Sequence, residues 1–129
     1  MILLDTHVLL WLAKEPSKLS PAAIAAIQAS SRDGGIAISA ITLWEIALLA
    51  ARGKLALLGT LDHFVESIAD RAAVQPITVK IAVMANQLAP NYPKDPADRL
   101  IGATALCEGM VLISADQNIR LSGAVRTIW

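Results

Sequence analysis

The sequence predicts an α/β domain, with a central parallel sheet of about four to five short strands flanked by helices on both faces. Three observations lead there. Short apolar runs (Ile2-Leu3-Leu4, Ile36-Ala37-Ile38, Met110-Val111-Leu112-Ile113) alternate with longer helical stretches. These runs lack the polar alternation of a half-exposed strand, so both of their faces should be covered. Cap and turn signals separate them, with room for a helical crossover each time. The chain has 129 residues, and one domain over positions 1–129 is the expectation.

The elements follow in order. Met1 to Leu4 reads as a buried strand, and Thr6 to Ala13 as a helix stopped by Glu15-Pro16. Ser20 caps the next helix, with Pro21 at its first position and its end near Ser30. Arg32-Asp33-Gly34-Gly35 is a turn, and Ile36-Ala37-Ile38 a strand. Ser39 caps a helix that reaches about Ala51 and is closed by Gly53. Thr60 or Asp62 caps a helix ending near Arg71, and Val74 to Ile77 is a candidate short strand that Pro76 weakens or places at a sheet edge. Thr78 caps a helix from Val79 to Ala89, after which Pro90 to Pro96 forms a rigid loop. A helix runs from Pro96 or Ala97 to Glu108, with Gly109 as its C-cap. Met110 to Ile113 is a strand, Gln117 to Leu121 a helical turn, and Val125 to Trp129 a last strand.

Composition narrows the function classes. The hydrophobic fraction of 55% exceeds the usual ~45–50%, so a homodimer or a tightly held partner is expected to cover the surplus. Eleven basic and eleven acidic residues cancel, which argues against binding nucleic acid by bulk positive charge. Cys107 is the single cysteine, so no internal disulfide forms, as suits a reducing cytoplasm. His7, His63 and Cys107 are too scattered for a structural zinc site. The N-terminal apolar run lacks a basic leader and ends at Asp5, so no signal peptide is expected. No uncharged apolar stretch reaches the roughly 18 residues of a membrane span.

Four carboxylates carry the chemistry: Asp5, Glu45, Asp98 and Asp116, each at the edge of a different apolar element. A carboxylate entering a core is costly unless something pairs with it. Asp5 reads equally as a cap of the following helix, and Asp116 alone reads better as a cap or Asx-turn. Glu45 shares a helical face with Ile41, Leu48 and Leu49, so it reads as a site residue ahead of a core glutamate paired with Arg52. Asp95 reads as the cap of the helix on which Asp98 sits one turn in, in line with Ile101, Gly102 and Ala105. Small residues there would let that helix approach the sheet and aim Asp98 at the strand ends. Thr6 and Ser114 are candidate hydroxyl partners for these acids, and Arg99 and Arg120 candidate phosphate contacts. His7 reads as a core-edge residue, and Trp11 and Trp44 as core or interface residues. Oxygen donors without thiolate or imidazole suit Mg²⁺ or Mn²⁺.

Four blocks carry a family resemblance: Ile2-Leu3-Leu4-Asp5-Thr6-His7, the segment Ile38 to Ile46 with Trp44-Glu45, Asp95-Pro96-Ala97-Asp98-Arg99-Leu100-Ile101, and Leu112-Ile113-Ser114-Ala115-Asp116. In this order and at these separations the chain resembles PIN-domain nucleases, specifically the VapC toxins of toxin–antitoxin pairs. The family often has threonine where Ser114 stands, which keeps the hydroxyl. The resemblance assigns the site acids to Asp5, Glu45, Asp98 and Asp116, with Asp5, Asp98 and Asp116 as metal ligands. It also implies Mg²⁺ or Mn²⁺, RNA as substrate, and a VapB-like antitoxin. Hydrolysis by a metal-activated water would leave 5′-phosphate and 3′-hydroxyl ends. The competing readings are an aspartyl-phosphate phosphatase with Asp5 as nucleophile, a non-catalytic receiver-like or degenerate metal-binding domain, and a DNA nuclease using the same metal site. The phosphatase chemistry usually wants an aspartate where His7 stands.

Overall fold

The apolar runs form strands because each residue finds cover on one face or the other of a single sheet. The computed structural model describes residues 1–129. Strands β1 (Ile2–Leu4), β2 (Ile36–Ser39), β3 (Ala73–Gln75), β4 (Val111–Ile113) and β5 (Thr127–Ile128) lie in the order β3-β2-β1-β4-β5. Every neighbouring pair is parallel. Helices α1 (Thr6–Lys14), α2 (Pro21–Arg32), α3 (Ala40–Ala51), α4 (Leu61–Ala69), α5 (Val79–Ala85), α6 (Pro96–Glu108) and α7 (Gln117–Ser122) connect them. Period-two alternation sorts the side chains. Ile2, Leu4, Ile38 and Ile113 pack with Val8 of α1 and Ala23 and Ile27 of α2, while Leu3, Ala37 and Leu112 pack with Ile101 and Ala105 of α6. Helices thus cover both faces, as expected for buried parallel strands.

The caps fall where the side chains predict them. Ser20, Ser39, Thr60, Thr78 and Asp95 each accept a backbone N–H of the helix they open. Gly109 takes φ 64° after α6, the left-handed conformation that glycine adopts without a Cβ penalty. Several boundaries differ from expectation. Helix α2 continues to Arg32, so the turn is shorter than its four-residue signature. Helix α5 ends at Ala85, and the chain then turns so that Leu88 and Tyr92 enter the core below α6. The last strand is only Thr127–Ile128. Pro16–Lys18 adds a short 3₁₀ turn. The strand expected from Val74 to Ile77 ends before Pro76 and lies at the sheet edge, where the missing N–H costs nothing.

Gly102 has a different role from the one its spacing predicts. Ile101 and Ala105 face the sheet, whereas a Cβ on Gly102 would overlap the hydroxyl and ring of Tyr92. Tyr92 is 1% exposed and donates its hydroxyl to the Asp98 carbonyl at 2.9 Å. Gly102→Ala is therefore expected to displace Tyr92 and cost about 1–3 kcal/mol, as overpacked cores do. A denaturant titration checks this, and a variant as stable as the parent would contradict the packing account.

Candidate functional site

In a parallel sheet, ligands bind beyond the carboxyl ends of the strands where the strand order reverses. Here that point lies between β1 and β4, the central pair from which the chain departs to opposite edges. Asp5 ends β1 and Ser114-Ala115-Asp116 ends β4. Asp5 is 3% exposed and its two oxygens are both engaged. Oδ1 accepts Thr6 N–H at 2.8 Å, and Oδ2 accepts the Ser114 hydroxyl at 2.7 Å. Ser114 Oγ in turn accepts Asp116 N–H at 3.1 Å. Asp116 caps α7, its Oδ1 accepting the N–H groups of Asn118 and Ile119. The cap readings of Asp5 and Asp116 both hold: Asp5 uses Oδ1 for α1 and Oδ2 for Ser114, whereas Asp116 uses only Oδ1 for α7.

Glu45 reaches the same region from α3. Thr6 Oγ1 donates to Glu45 Oε1 at 2.5 Å and lies 3.0 Å from Thr42 Oγ1. A hydroxyl has one proton, so if Thr6 gives its own to Glu45, Thr42 must donate to Thr6. No ion pair joins Glu45 to Arg52, so the paired-core alternative does not hold. Burial pushes the Glu45 carboxyl above its usual range, the Thr6 hydrogen bond opposes this, and Asp5 and Asp95 add repulsion.

Asp98 completes the group. Asp95 Oδ1 accepts both Ala97 and Asp98 N–H groups and so fixes the first turn of α6. Burial raises the Asp98 carboxyl to about 7, with repulsion from Asp5, Asp95, Asp116 and Glu45 adding to it. The four acids predicted from the sequence thus share one electrostatic environment. Linkage gives the consequence for stability. The folded, metal-free protein holds a proton on Asp98 that the unfolded chain releases near 3.8, so stability declines as pH rises from about 4 to about 7 and levels off above. Asp98→Asn should flatten this decline and raise the melting temperature most at alkaline pH. Solvent reaches half-buried Asp98 and screens part of the repulsion. Melting curves of the two metal-free proteins across that range check the sign.

Several expected participants lie elsewhere. The Arg99 guanidinium donates to the carbonyls of Ala85 and Tyr92, which ties the 86–95 segment to α6 and withdraws it from the phosphate role. Arg120 is exposed beside Leu121 and Trp129. Trp44 is 58% exposed and so is not a core residue. It lines a cavity of about 550 Å³ between α3 and the start of α6, with Ile41, Leu48 and Pro96 as apolar walls and Glu45 and Asp95 at its rim. Thr42 and His7 are partners the sequence reading missed. Thr42 precedes Glu45 by three residues, a spacing that places both on one helical face and could have flagged it.

The donors are carboxylate and hydroxyl oxygens, a set that suits a hard divalent cation. No three His, Cys, Asp or Glu side chains are grouped so as to hold an ion by themselves. Mg²⁺ is commonly bound by one or two carboxylates, with waters and substrate phosphates completing its shell, so the residues present fit such an ion without a preformed cage.

A doubly wound α/β domain with an acidic pocket at its switch point is the class that fold and site define. The chain belongs to the PIN-domain family, whose model matches residues 2–122. It is 35% identical to "Ribonuclease VapC22" of Mycobacterium tuberculosis, covering 99% of this chain and 98% of that protein. Among solved structures it is similar to FitAcB from Neisseria gonorrhoeae, with a TM-score of 0.67 at 26% identity over 98% of this chain and 96% of that one. It shares its fold with the DNA-bound VapBC of Salmonella typhimurium, with a TM-score of 0.73 at 21% identity over 98% and 97% of the two chains. No helix is long and apolar enough to cross a membrane.

Proposed function

We propose that this protein is a Mg²⁺- or Mn²⁺-dependent endoribonuclease, the VapC-type toxin of a toxin–antitoxin pair. The observation that carries the reading is the convergence of Asp5, Glu45, Asp98 and Asp116 near the switch point, where burial and, after it, repulsion from the neighbouring acids raise the Asp98 carboxyl. Asp5, Asp98 and Asp116 would hold the cation. Bound there, it would activate water and neutralise charge on the phosphate undergoing attack. Ser114 orients Asp5 and the Asp116 turn together. Glu45, raised by burial and steered by Thr6, is suited to take up a proton. Uncompensated, the four acids would repel RNA, so phosphate binding should require the loaded site. The aspartyl-phosphate reading loses ground, because His7 stands where that chemistry usually wants a second aspartate.

The test is incubation of purified protein with total cellular RNA and matched DNA, with and without Mg²⁺, followed by end mapping. Metal-dependent RNA cuts with 5′-phosphate and 3′-hydroxyl ends are expected. DNA cleavage alone, or no cleavage by a folded and metal-loaded protein, would overturn the reading.

A VapB-like antitoxin and a second copy of the chain are the partners proposed, in a cytoplasmic setting. FitAcB and VapBC are complexes by name, and this chain leaves Trp44, Val79 (83% exposed) and Val83 uncovered. Light scattering is expected to report a homodimer, and a stable monomer at high concentration would remove that part.

A further inference from the structure

His7 stands in the first turn of α1, and both of its ring nitrogens are directed. Nε2 accepts the Ala115 backbone N–H at 3.0 Å, so that nitrogen carries no proton. The proton of the neutral ring is then on Nδ1, which faces Asp5 Oδ2 at 3.6 Å. That separation exceeds a hydrogen bond, so the N–H acts on Asp5 as an orienting dipole. Trp11 meets the imidazole edge-on, with centroids 4.9 Å apart and an interplanar angle of 62°. Trp129 lies 5.8 Å behind Trp11, and the Lys18 ammonium lies 5.5 Å from the Trp11 ring. Ala115 is flanked by Ser114, which donates to Asp5, and by Asp116. The imidazole therefore spans the ends of β1 and β4, the two strands that bound the switch point.

We infer that His7 is a positioning residue of the acid site: its imidazole, accepting the Ala115 N–H, facing Asp5 and braced by Trp11 and Trp129, keeps the Asp5 carboxylate and the Ser114–Asp116 turn in fixed relation. The inference rests on the reading of these acids as a cation site. His7 acts through Asp5 and the main chain and is not itself a ligand. Groups that orient metal-binding side chains typically matter about 10–100-fold in metal affinity or activity.

Two measurements test it. Nitrogen-15 NMR of the metal-free protein near pH 8, with His63→Gln to assign the two histidines, should show His7 protonated on Nδ1 and bare on Nε2. Calorimetric titration with Mn²⁺ should show His7→Ala binding about 10–100-fold more weakly, with RNA cleavage reduced in proportion. His7→Gln, whose side-chain carbonyl can accept the Ala115 N–H, should recover part of both, and it serves if the alanine variant does not fold. An Nε2–H tautomer overturns the proposal. So does a His7→Ala protein that is less stable yet binds Mn²⁺ as the parent does, since that is the signature of a structural role alone. A parent that binds Mn²⁺ but cuts no RNA would remove the nuclease reading and leave His7 to be decided by the tautomer and the affinities.

Discussion

Asp98→Asn is expected to lower RNA cleavage by at least about 1,000-fold, roughly 4 kcal/mol of barrier, while the protein stays folded. The two halves of this expectation share one cause. Asp98 sits where burial and four neighbouring acids oppose its charge, so its carboxylate is a burden to the metal-free fold. An amide of the same shape removes that burden. It also removes an anionic oxygen from a site whose proposed cation has no full cage among the side chains. Tyr92 and Asp95 hold the backbone of this turn without using the Asp98 side chain, so the substitution need not disturb α6. Single-turnover cleavage and thermal melting, run on the same preparations, separate the two effects. A variant that cuts at the parental rate would exclude Asp98 from the reaction.

Expression of the protein without its antitoxin should arrest growth, and Asp5→Asn should abolish the arrest. Asparagine can still accept Thr6 N–H as a cap, so α1 survives while the site loses a charge. The proposed antitoxin is expected to silence the parent during growth. The cleft offers two complementary features: an acidic cluster, and beside it the apolar groove of Ile41, Trp44 and Leu48, with Glu45 on its rim. An Arg or Lys placed among the acids would pair with them and exclude the cation, while an apolar helix covered Trp44. Removing the antitoxin's basic residue should relieve inhibition of cleavage, and rising Mg²⁺ should do the same. Full inhibition by a partner that leaves the acids open would contradict this arrangement.

Element types, most caps and the four acids were legible in the sequence because each rests on local chemistry. Ser20-Pro21 and Asp95-Pro96 start helices whatever surrounds them, and an acid at the edge of an apolar run is conspicuous without coordinates. The homodimer, the metal and the RNA were also read from the sequence, and they stand as proposals for the experiments above.

The chain by itself determined a parallel α/β domain with carboxylates at its strand ends. The fold alone decided how those carboxylates are wired. Ser114 meets Asp5 across 109 positions, His7 meets Ala115 across 108, and Thr6 meets Glu45 across 39. Such contacts depend on strand order, and no local propensity encodes which strand lies beside β1. The same reason explains where three other side chains came to lie. Arg99 found buried carbonyls to satisfy, Gly102 made room for Tyr92, and Trp44 was left in solvent, because each outcome was set by what the remote chain brought to that side of the helix.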